Sequence, residues 1–167
     1  MAGYLHRYHV CFRLDNRAVM KASKDCIELI KRFEGFSAKP YLCPANVWTI
    51  GFGSTRYENG VHVAETDLPI DEASAVHIMQ ETLKSYERDV TRYVKAPINQ
   101  HQFDALVDFA YNVGSKNLLT STLLKKLNRL DYRGACMEFE KWQFANGKKL
   151  KGLLNRRLAE KQLFASI

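Results

Sequence analysis

Residues 33–53, which read FEGFSAKPYLCPANVWTIGFG, contain the change from helix to strand that decides the fold. Before them, apolar residues recur every three positions, which predicts an amphipathic helix from Lys21 to Phe33 with Ser23 as its N-cap. Gly35 is expected to stop this helix. The β-branched and aromatic residues 47–50 are typical of a strand. The segment therefore predicts a helix that leads directly into a small sheet.

A small antiparallel sheet is expected between Tyr41 and Val63. Gly51 and Gly53 interrupt the strand pattern, and residues 58–60, Glu-Asn-Gly, are typical of a hairpin turn. We expect this region to hold nearly all of the strand content.

The rest of the chain is predicted to be helical. A long helix is expected from Asp71 to about Val94, ended by Pro97; at 1.5 Å per residue it spans roughly 36 Å, which suits a strut between two lobes. Asn99 and Gln102 resemble a capping box for the next helix, which Gly114 stops. Shorter helices are predicted over Ser121–Leu130, Tyr132–Trp142 and Leu154–Ala165.

The separation of helical and strand-rich segments along the chain indicates an α+β fold. A small sheet lobe (about residues 36–70) is expected to pack on a mainly helical lobe (about residues 71–167 plus the first helix). Residues 21–167 then form one domain, with a ligand in the cleft between the lobes. Residues 1–20 are interpreted as an N-terminal extension, and a chain that starts at Met20 is predicted to keep most of its activity.

The composition is that of a soluble globular chain, with 46% hydrophobic and 26% charged residues among 167. No stretch approaches the roughly 18 apolar residues of a membrane span or the about 7–15 of a secretory signal, so we expect a cytoplasmic start without an export route. The cysteines are scattered, which predicts free thiols and neither zinc nor another metal. They are Cys11, Cys26, Cys43 and Cys136.

The formal net charge of +7 indicates attraction to a polyanion. Nucleic acid, anionic lipid and a phosphate-bearing bacterial envelope all fit this charge, but no nucleic-acid-binding motif accompanies it, so nucleic acid is not an expected partner. The basic C-terminal residues are expected to form either an envelope-contacting face or an ordinary solvated helix face. They are Lys148, Lys149, Lys151, Arg156, Arg157 and Lys161.

Glu34 stands out among the carboxylates of the first helix. It follows Ile27 by seven residues and Ile30 by four, so it projects from the apolar face. An apolar setting raises the pKa of a carboxyl, and a carboxyl that keeps its proton near neutral pH is what a general acid of glycoside hydrolysis requires. The alternative is a glutamate at a helix end that turns to solvent.

The spacing from Glu34 to Cys43 and Thr49 resembles a pattern of the phage-type lysozymes, Glu-x8-Asp/Cys-x5-Thr. The stretch WTIGFG is similar to the strand that carries the threonine in that family. Residues 102–114 (QFDALVDFAYNVG) look like the central core helix of the family, and residues 152–160 (GLLNRRLAE) look like its closing arginine-rich helix. The resemblance runs in order from Lys21 to Phe164 and implies the two-lobed lysozyme fold.

The resemblance also implies an activity and roles for particular residues. Glu34 would be the general acid, and Cys43 stands where many members carry an aspartate that activates a water or stabilises the transition state. Thr49 would hold the water on the opposite face of the sugar, and Tyr111 and Thr122 would line the saccharide cleft. The substrate would be the alternating N-acetylmuramic acid and N-acetylglucosamine of peptidoglycan, with no cofactor.

Two departures from the family pattern matter. Ser54 replaces a histidine that makes an ion pair in some relatives. Cys43 replaces the aspartate, and a thiol with a pKa of about 8.5 is mostly neutral at pH 7. We expect the Glu34 carboxylate and an apolar cleft to raise the pKa of this thiol further. The alternative is that Cys43 is a small buried hydrophobic residue.

Three functions therefore fit these features of the sequence. The favoured one is a muramidase that cleaves the β-1,4 bond with water and inverts the anomeric centre. A lytic transglycosylase is the second, supported by the missing second carboxylate and opposed by Thr49. The third is a cationic wall-binding or membrane-disrupting protein without activity. By resemblance, the enzyme would act as a monomer in host lysis and would wait in the host cytoplasm until a separate holin permeabilises the membrane.

Overall fold

The structure, a computed structural model, describes residues 20–43, 45–145 and 147–166. The proposed N-terminal extension and Cys11 lie outside this part of the chain. Within it, the three remaining cysteines, Cys26, Cys43 and Cys136, are free.

The first helix, α1, runs from Lys24 to Glu34 and leads into the sheet as expected. The Ser23 side chain caps it by accepting a hydrogen bond from the backbone N–H of Asp25 at 3.1 Å. Gly35 ends it with a φ of 72°, a conformation that favours glycine. Glu34 is therefore the last helical residue, and its backbone is fixed by the helix on one side and the glycine on the other.

The first sheet pairs β1, Ser37–Leu42, with β2, Trp48–Gly51, in antiparallel register. Pairing therefore begins earlier than the predicted Tyr41. Regular strand ends at Gly51, where positive φ values of Gly51 and Gly53 turn the chain. Beyond it, two isolated bridges, Ile50–Ser54 and Arg56–His62, continue the predicted hairpin.

The long helix α2 spans Glu72–Tyr93, with Asp71 as N-cap and Val94 as C-cap, which confirms the predicted strut. Its 22 residues correspond to roughly 33 Å. It ends four residues before Pro97, whose ring would clash with the carbonyl of a helical residue at that distance.

The central helix α3, Gln100–Val113, carries the predicted capping box of Asn99 and Gln102 and ends at Gly114. The predicted helix over Ser121–Leu130 is present as α5, Thr122–Leu127, which the Ser121 side chain caps and which ends three residues earlier than expected. A further short helix that was not predicted, α4 (Ser115–Thr120), precedes it.

The C-terminal part also differs from expectation in one element. Helix α6 (Tyr132–Glu138) continues as a 3-10 turn over Phe139–Lys141, and α7 covers Lys151–Phe164. Between them lies an unpredicted hairpin of two-residue strands, β3 (Phe144–Ala145) and β4 (Lys148–Lys149). Strands of this length leave too few residues for an alternating pattern to be read in the sequence.

Helix α3 forms the centre of the helical lobe, and every residue from 103 to 110 is buried. Helices α1, α2 and α7 all pack against it. The Phe109 ring meets the rings of Phe139 and Trp142 edge to face at centroid distances of 5.5 and 5.2 Å. The predicted α+β class is confirmed, and the core brings the end of α1 against α3 and α7. In the described part of the chain, every helix is too short or too polar to cross a membrane.

Candidate active site

A cavity of about 570 Å³ lies between the sheet lobe and the helices, where the sequence predicted a cleft. Glu34 reaches it from the end of α1, and residues 53–58 form its sheet-side wall. The opposite wall consists of side chains from α2 and of Tyr111 and Asn112 from α3. The cavity therefore places the predicted acid between the two lobes.

The Glu34 carboxylate is held on one oxygen and open on the other. Its Oε1 accepts a hydrogen bond from Nη1 of Arg156 at 2.6 Å, and the side chain is 24% exposed. A Cβ at position 53 would lie 3.4 Å from Oε2, so Gly53 leaves space at that oxygen. The predicted apolar setting is thus wrong, because Arg156 of α7 forms an ion pair with one oxygen of the carboxylate.

Arg156 connects Glu34 to the buried interior. Its Nε and Nη2 donate to the two carboxylate oxygens of Asp108 at 3.1 and 2.7 Å. Burial lowers the pKa of Arg156, but the charges and hydrogen bonds of Asp108 and Glu34 outweigh it and hold this pKa above its usual range. Arg156 therefore stays charged between two carboxylates.

Arg157, the next residue, is fully buried on the other side of α7. Its Nη2 donates to Glu160 at 2.6 Å and to Asn112 at 2.9 Å, and its guanidinium lies 5.1 Å from the Phe109 ring centre. The predicted basic surface is therefore wrong for Arg156 and Arg157. Both arginines are buried and paired, while Lys148, Lys149 and Lys151 are exposed.

Cys43 and Thr49 meet on the β1–β2 hairpin, although neither lines the cavity. The backbone N–H of Val47, followed by that of Ala45, lowers the pKa of the partly exposed Cys43 thiol, because N–H donors stabilise a thiolate. Desolvation opposes this shift, and the Thr49 hydroxyl adds to it. The expected upward shift is wrong, since the backbone donors of the hairpin loop were not readable from the sequence.

Tyr41 lies close to both the acid and the hairpin thiol. Burial raises the pKa of its phenol, and the charges of Glu34 and Cys43 raise it further. Tyr41 also stands opposite Thr49 in the β1–β2 register. The structure thus brings Glu34, Cys43 and Thr49 into one neighbourhood around Tyr41, a residue that the sequence reasoning missed.

The two predicted cleft residues separate in the structure. Tyr111 lines the cavity, and its hydroxyl donates to the backbone carbonyl of Phe52 at 2.8 Å, which joins the two lobes. Burial, with the charge of Glu34, raises the pKa of this phenol. Thr122 is exposed at the start of α5 and does not line the cavity. Ser54, the other departure from the family, exchanges backbone hydrogen bonds with Ile50 at 2.9 and 3.0 Å.

One group of side chains in the described residues has the composition of a metal site. The ligand atoms of Glu58, His77 and Glu81 lie within 4.8 Å of one another, and Glu58 and Glu81 also line the cavity. Ion pairs already account for this group: His77 contacts Glu58 at 3.2 Å and Glu81 contacts Lys84 at 2.6 Å. It therefore supports no metal assignment.

The sequence could have indicated the arginine network more strongly than it did. Asp108 is a charged residue inside the buried run of α3, and a buried carboxylate requires a partner. The arginine pair of α7 offers such a partner, although the density of basic residues around it favours a surface. Pairing these two signals would have identified Arg156 as part of the site.

Comparison with known proteins agrees with this geometry. The phage lysozyme family model matches residues 31–160. An endolysin of Acyrthosiphon pisum secondary endosymbiont phage 1 is 41% identical over 151 residues, which cover 88% of this chain and 99% of the relative.

Solved structures give the same result. A mutant of phage P22 lysozyme superposes with a TM-score of 0.80 at 34% identity, covering 88% of this chain and 99% of the other. An endolysin from an Escherichia coli phage, FAHEc1, reaches a TM-score of 0.80 at 30% identity, covering 87% and 94% of the two chains. The chain therefore belongs to the phage lysozyme family, whose members are glycosidase-type lytic enzymes that act on bacterial peptidoglycan in host lysis.

Proposed function

We propose that the protein hydrolyses the β-1,4 bond between N-acetylmuramic acid and N-acetylglucosamine, with Glu34 as the general acid. The observation that supports this proposal is that the two oxygens of the Glu34 carboxyl have different surroundings. Arg156 holds Oε1, while Oε2 faces the cavity beside Gly53. A glycosidic oxygen bound in the cavity receives the proton from Oε2 as the bond to the anomeric carbon breaks.

The hairpin side of the site supplies the water. In this proposal the Thr49 hydroxyl, which donates its own proton to the Val47 carbonyl at 2.9 Å, accepts a hydrogen bond from a water on the face of the sugar opposite Glu34. The Cys43 thiolate takes the other proton of this water as the oxygen attacks the anomeric carbon. The lowered pKa of Cys43 supports the thiolate, since it increases the fraction of the base at neutral pH. The products are two shorter glycans, one with a new reducing end of inverted configuration.

The test of the acid is Glu34→Gln, which keeps the shape of the side chain and removes the transferable proton. We expect turnover of purified peptidoglycan to fall by ~10²–10⁴ while the melting temperature stays near that of the native protein. Glu28→Gln is the matched control, because Glu28 is exposed on the same helix and pairs with Lys31 at 3.4 Å, away from the cavity. Near-native turnover of the folded Glu34→Gln protein would remove Glu34 from this role.

The products distinguish the remaining functions. Mass spectrometry of digested glycan should find reducing-end muramic acid, whereas a 1,6-anhydro product identifies a transglycosylase. If Glu34→Gln left both bacterial killing and turbidity loss unchanged, the protein would act as a cationic wall-binding or membrane-disrupting protein instead.

We also propose that the enzyme works as a monomer on the glycan strand and reaches it with the help of a holin. The proposal rests on the family membership. Expression in a Gram-negative host should give lysis when a holin is co-expressed or the membrane is permeabilised chemically. Lysis at the same rate without either treatment would contradict the holin requirement, and a dimer in size-exclusion chromatography would contradict the monomer.

A further inference from the structure

Two aspartates interrupt the buried run of α3, and each binds a different element. Asp104 accepts hydrogen bonds from the backbone N–H and the hydroxyl of Ser23, at 3.0 and 2.5 Å, and so anchors the start of α1. Asp108, one turn later, accepts hydrogen bonds from two nitrogens of Arg156. The first aspartate is bound to the helix that carries Glu34, and the second is bound to the arginine that holds the Glu34 carboxylate.

The two hydrogen bonds to Asp108 fix the plane of the Arg156 guanidinium. Its N–H groups form a rigid planar fork, so fixing Nε and Nη2 also fixes the direction of Nη1. Nη1 is the nitrogen that donates to Glu34 Oε1 at 2.6 Å. The Phe33 ring lies 5.7 Å from the guanidinium carbon and limits movement on that side.

We propose that Asp108 is a positioning residue for the general acid: by orienting Arg156 it holds Oε1 of Glu34 and directs Oε2 towards the glycosidic oxygen. This inference rests on the proposed function of Glu34. Asp108 itself touches no reacting atom, because its carboxylate is fully buried behind the guanidinium.

Glu160 is the carboxylate that could compete with Asp108. It lies 3.6 Å from Arg156 Nε and 2.6 Å from Arg157 Nη2. Burial, followed by the neighbouring Asp108 charge, raises the pKa of Glu160 well above its usual range and so disfavours its charged form. Asp108 accepts two hydrogen bonds from the guanidinium at 3.1 and 2.7 Å, whereas Glu160 approaches it only at 3.6 Å, so Asp108 is the carboxylate that orients Arg156.

The test is Asp108→Asn, which keeps the size of the side chain but replaces one acceptor oxygen with an NH2 group that cannot accept from the guanidinium. We expect kcat on soluble peptidoglycan fragments to fall by at least ~10-fold, because misplacing a reacting group by about 1 Å can cost as much as 10²-fold. KM should change by less than about twofold, since Asp108 does not contact the substrate.

The matched control is Asp104→Asn on the same helix. It also removes a buried charge and its hydrogen bonds, so it should lower the melting temperature to a similar extent while kcat stays near the native value. Equal losses of kcat in the two folded variants would show a general effect of destabilisation and would overturn the inference.

A double variant separates this inference from the proposed function. If Asp108 acts through Glu34, Glu34→Gln with Asp108→Asn should be no less active than Glu34→Gln alone. A further loss equal to that of the single Asp108 variant would overturn the inference. Full activity of Glu34→Gln would instead overturn the proposed function.

Arg156→Lys carries the test if Asp108→Asn does not fold. A lysine keeps the positive charge but cannot hold two carboxylates in one plane, so kcat should again fall by at least ~10-fold. Native kcat in Arg156→Lys would show that charge alone suffices and would overturn the inference.

Discussion

The two sides of Glu34 are built in opposite ways. On the hairpin side, Cys43 is partly exposed, and backbone N–H groups determine its environment. On the helical side, Arg156, Asp108 and Glu160 are buried, and Arg156 makes ion pairs with both carboxylates. An exposed residue can be replaced by one of different chemistry without leaving a buried partner unpaired. In a buried charge network, by contrast, each member depends on the others. By this argument, position 43 tolerates a change of residue type more readily than position 108 or 156 does.

Arg157→Ala tests the buried, helical side and should have the largest effect on stability. Its removal leaves Glu160 and Asn112 without their buried donor and opens space beside Phe109. We expect the free energy of unfolding to fall by roughly 3–5 kcal/mol, as for other buried pairs that lose one member. Urea denaturation measures it. In the same assay Cys43→Ala should leave the midpoint nearly unchanged, and equal losses would erase the proposed difference between the two sides.

The Cys43 series measures the chemistry of the hairpin side. Cys43→Ala should lower kcat by at least ~10-fold, because it removes the base. Cys43→Asp should restore much of the activity, and Cys43→Ser should not, since a hydroxyl is not ionised at neutral pH. Because the pKa of the native thiol is lowered, activity should begin to rise with pH below the ordinary range of a cysteine. A Cys43→Ala enzyme with native rates at every pH would remove this residue from the mechanism.

Glu160→Gln gives the most specific effect, a change in how stability depends on pH. The pKa of Glu160 is raised in the folded state, so above its ordinary value of 4.5 the folded protein binds a proton that the unfolded chain has released. This group therefore makes stability fall as pH rises, by at most about 1.4 kcal/mol per pH unit, until the raised pKa is reached. The glutamine variant should lack this slope and be relatively more stable at pH 7. Parallel stability curves for the two proteins between pH 5 and 7 would mean that Glu160 is ionised in the fold.

The sequence predicted the parts of this molecule that depend on local patterns. The cap at Ser23, the stop at Gly35, the capping box of Asn99 and the α2 strut all follow from neighbouring residues, and all are present. The family spacing also predicted a site of Glu34, Cys43 and Thr49; the structure places Glu34 at the cavity and Cys43 beside Thr49 on the hairpin, and the catalytic roles of the three stay predictions.

The environments of those residues could not be predicted in the same way. The Glu34 carboxylate meets a guanidinium from α7, and the Cys43 thiol meets backbone N–H groups whose direction depends on the turn. Charge counting placed Arg156 and Arg157 on the surface, because composition does not show that α3 offers the Asp108 carboxylate to Arg156 or that Glu160 on α7 pairs with Arg157. The environment of Glu34 and Arg156 is determined by long-range pairing, and that of Cys43 by the conformation of the hairpin turn.

The contact between Glu34 and Arg156 joins residues 122 positions apart in the chain. Closing so long a loop carries an entropic cost and belongs to the slow, non-local part of folding. Helix α1 and the hairpin can form from nearby residues, but the acid is not clamped until α7 has docked. The enzyme therefore becomes active only late in folding. After a cut in the exposed strands β3 or β4, only non-covalent contacts would hold α7, and loss of this helix would inactivate the enzyme with Glu34, Cys43 and Thr49 all intact.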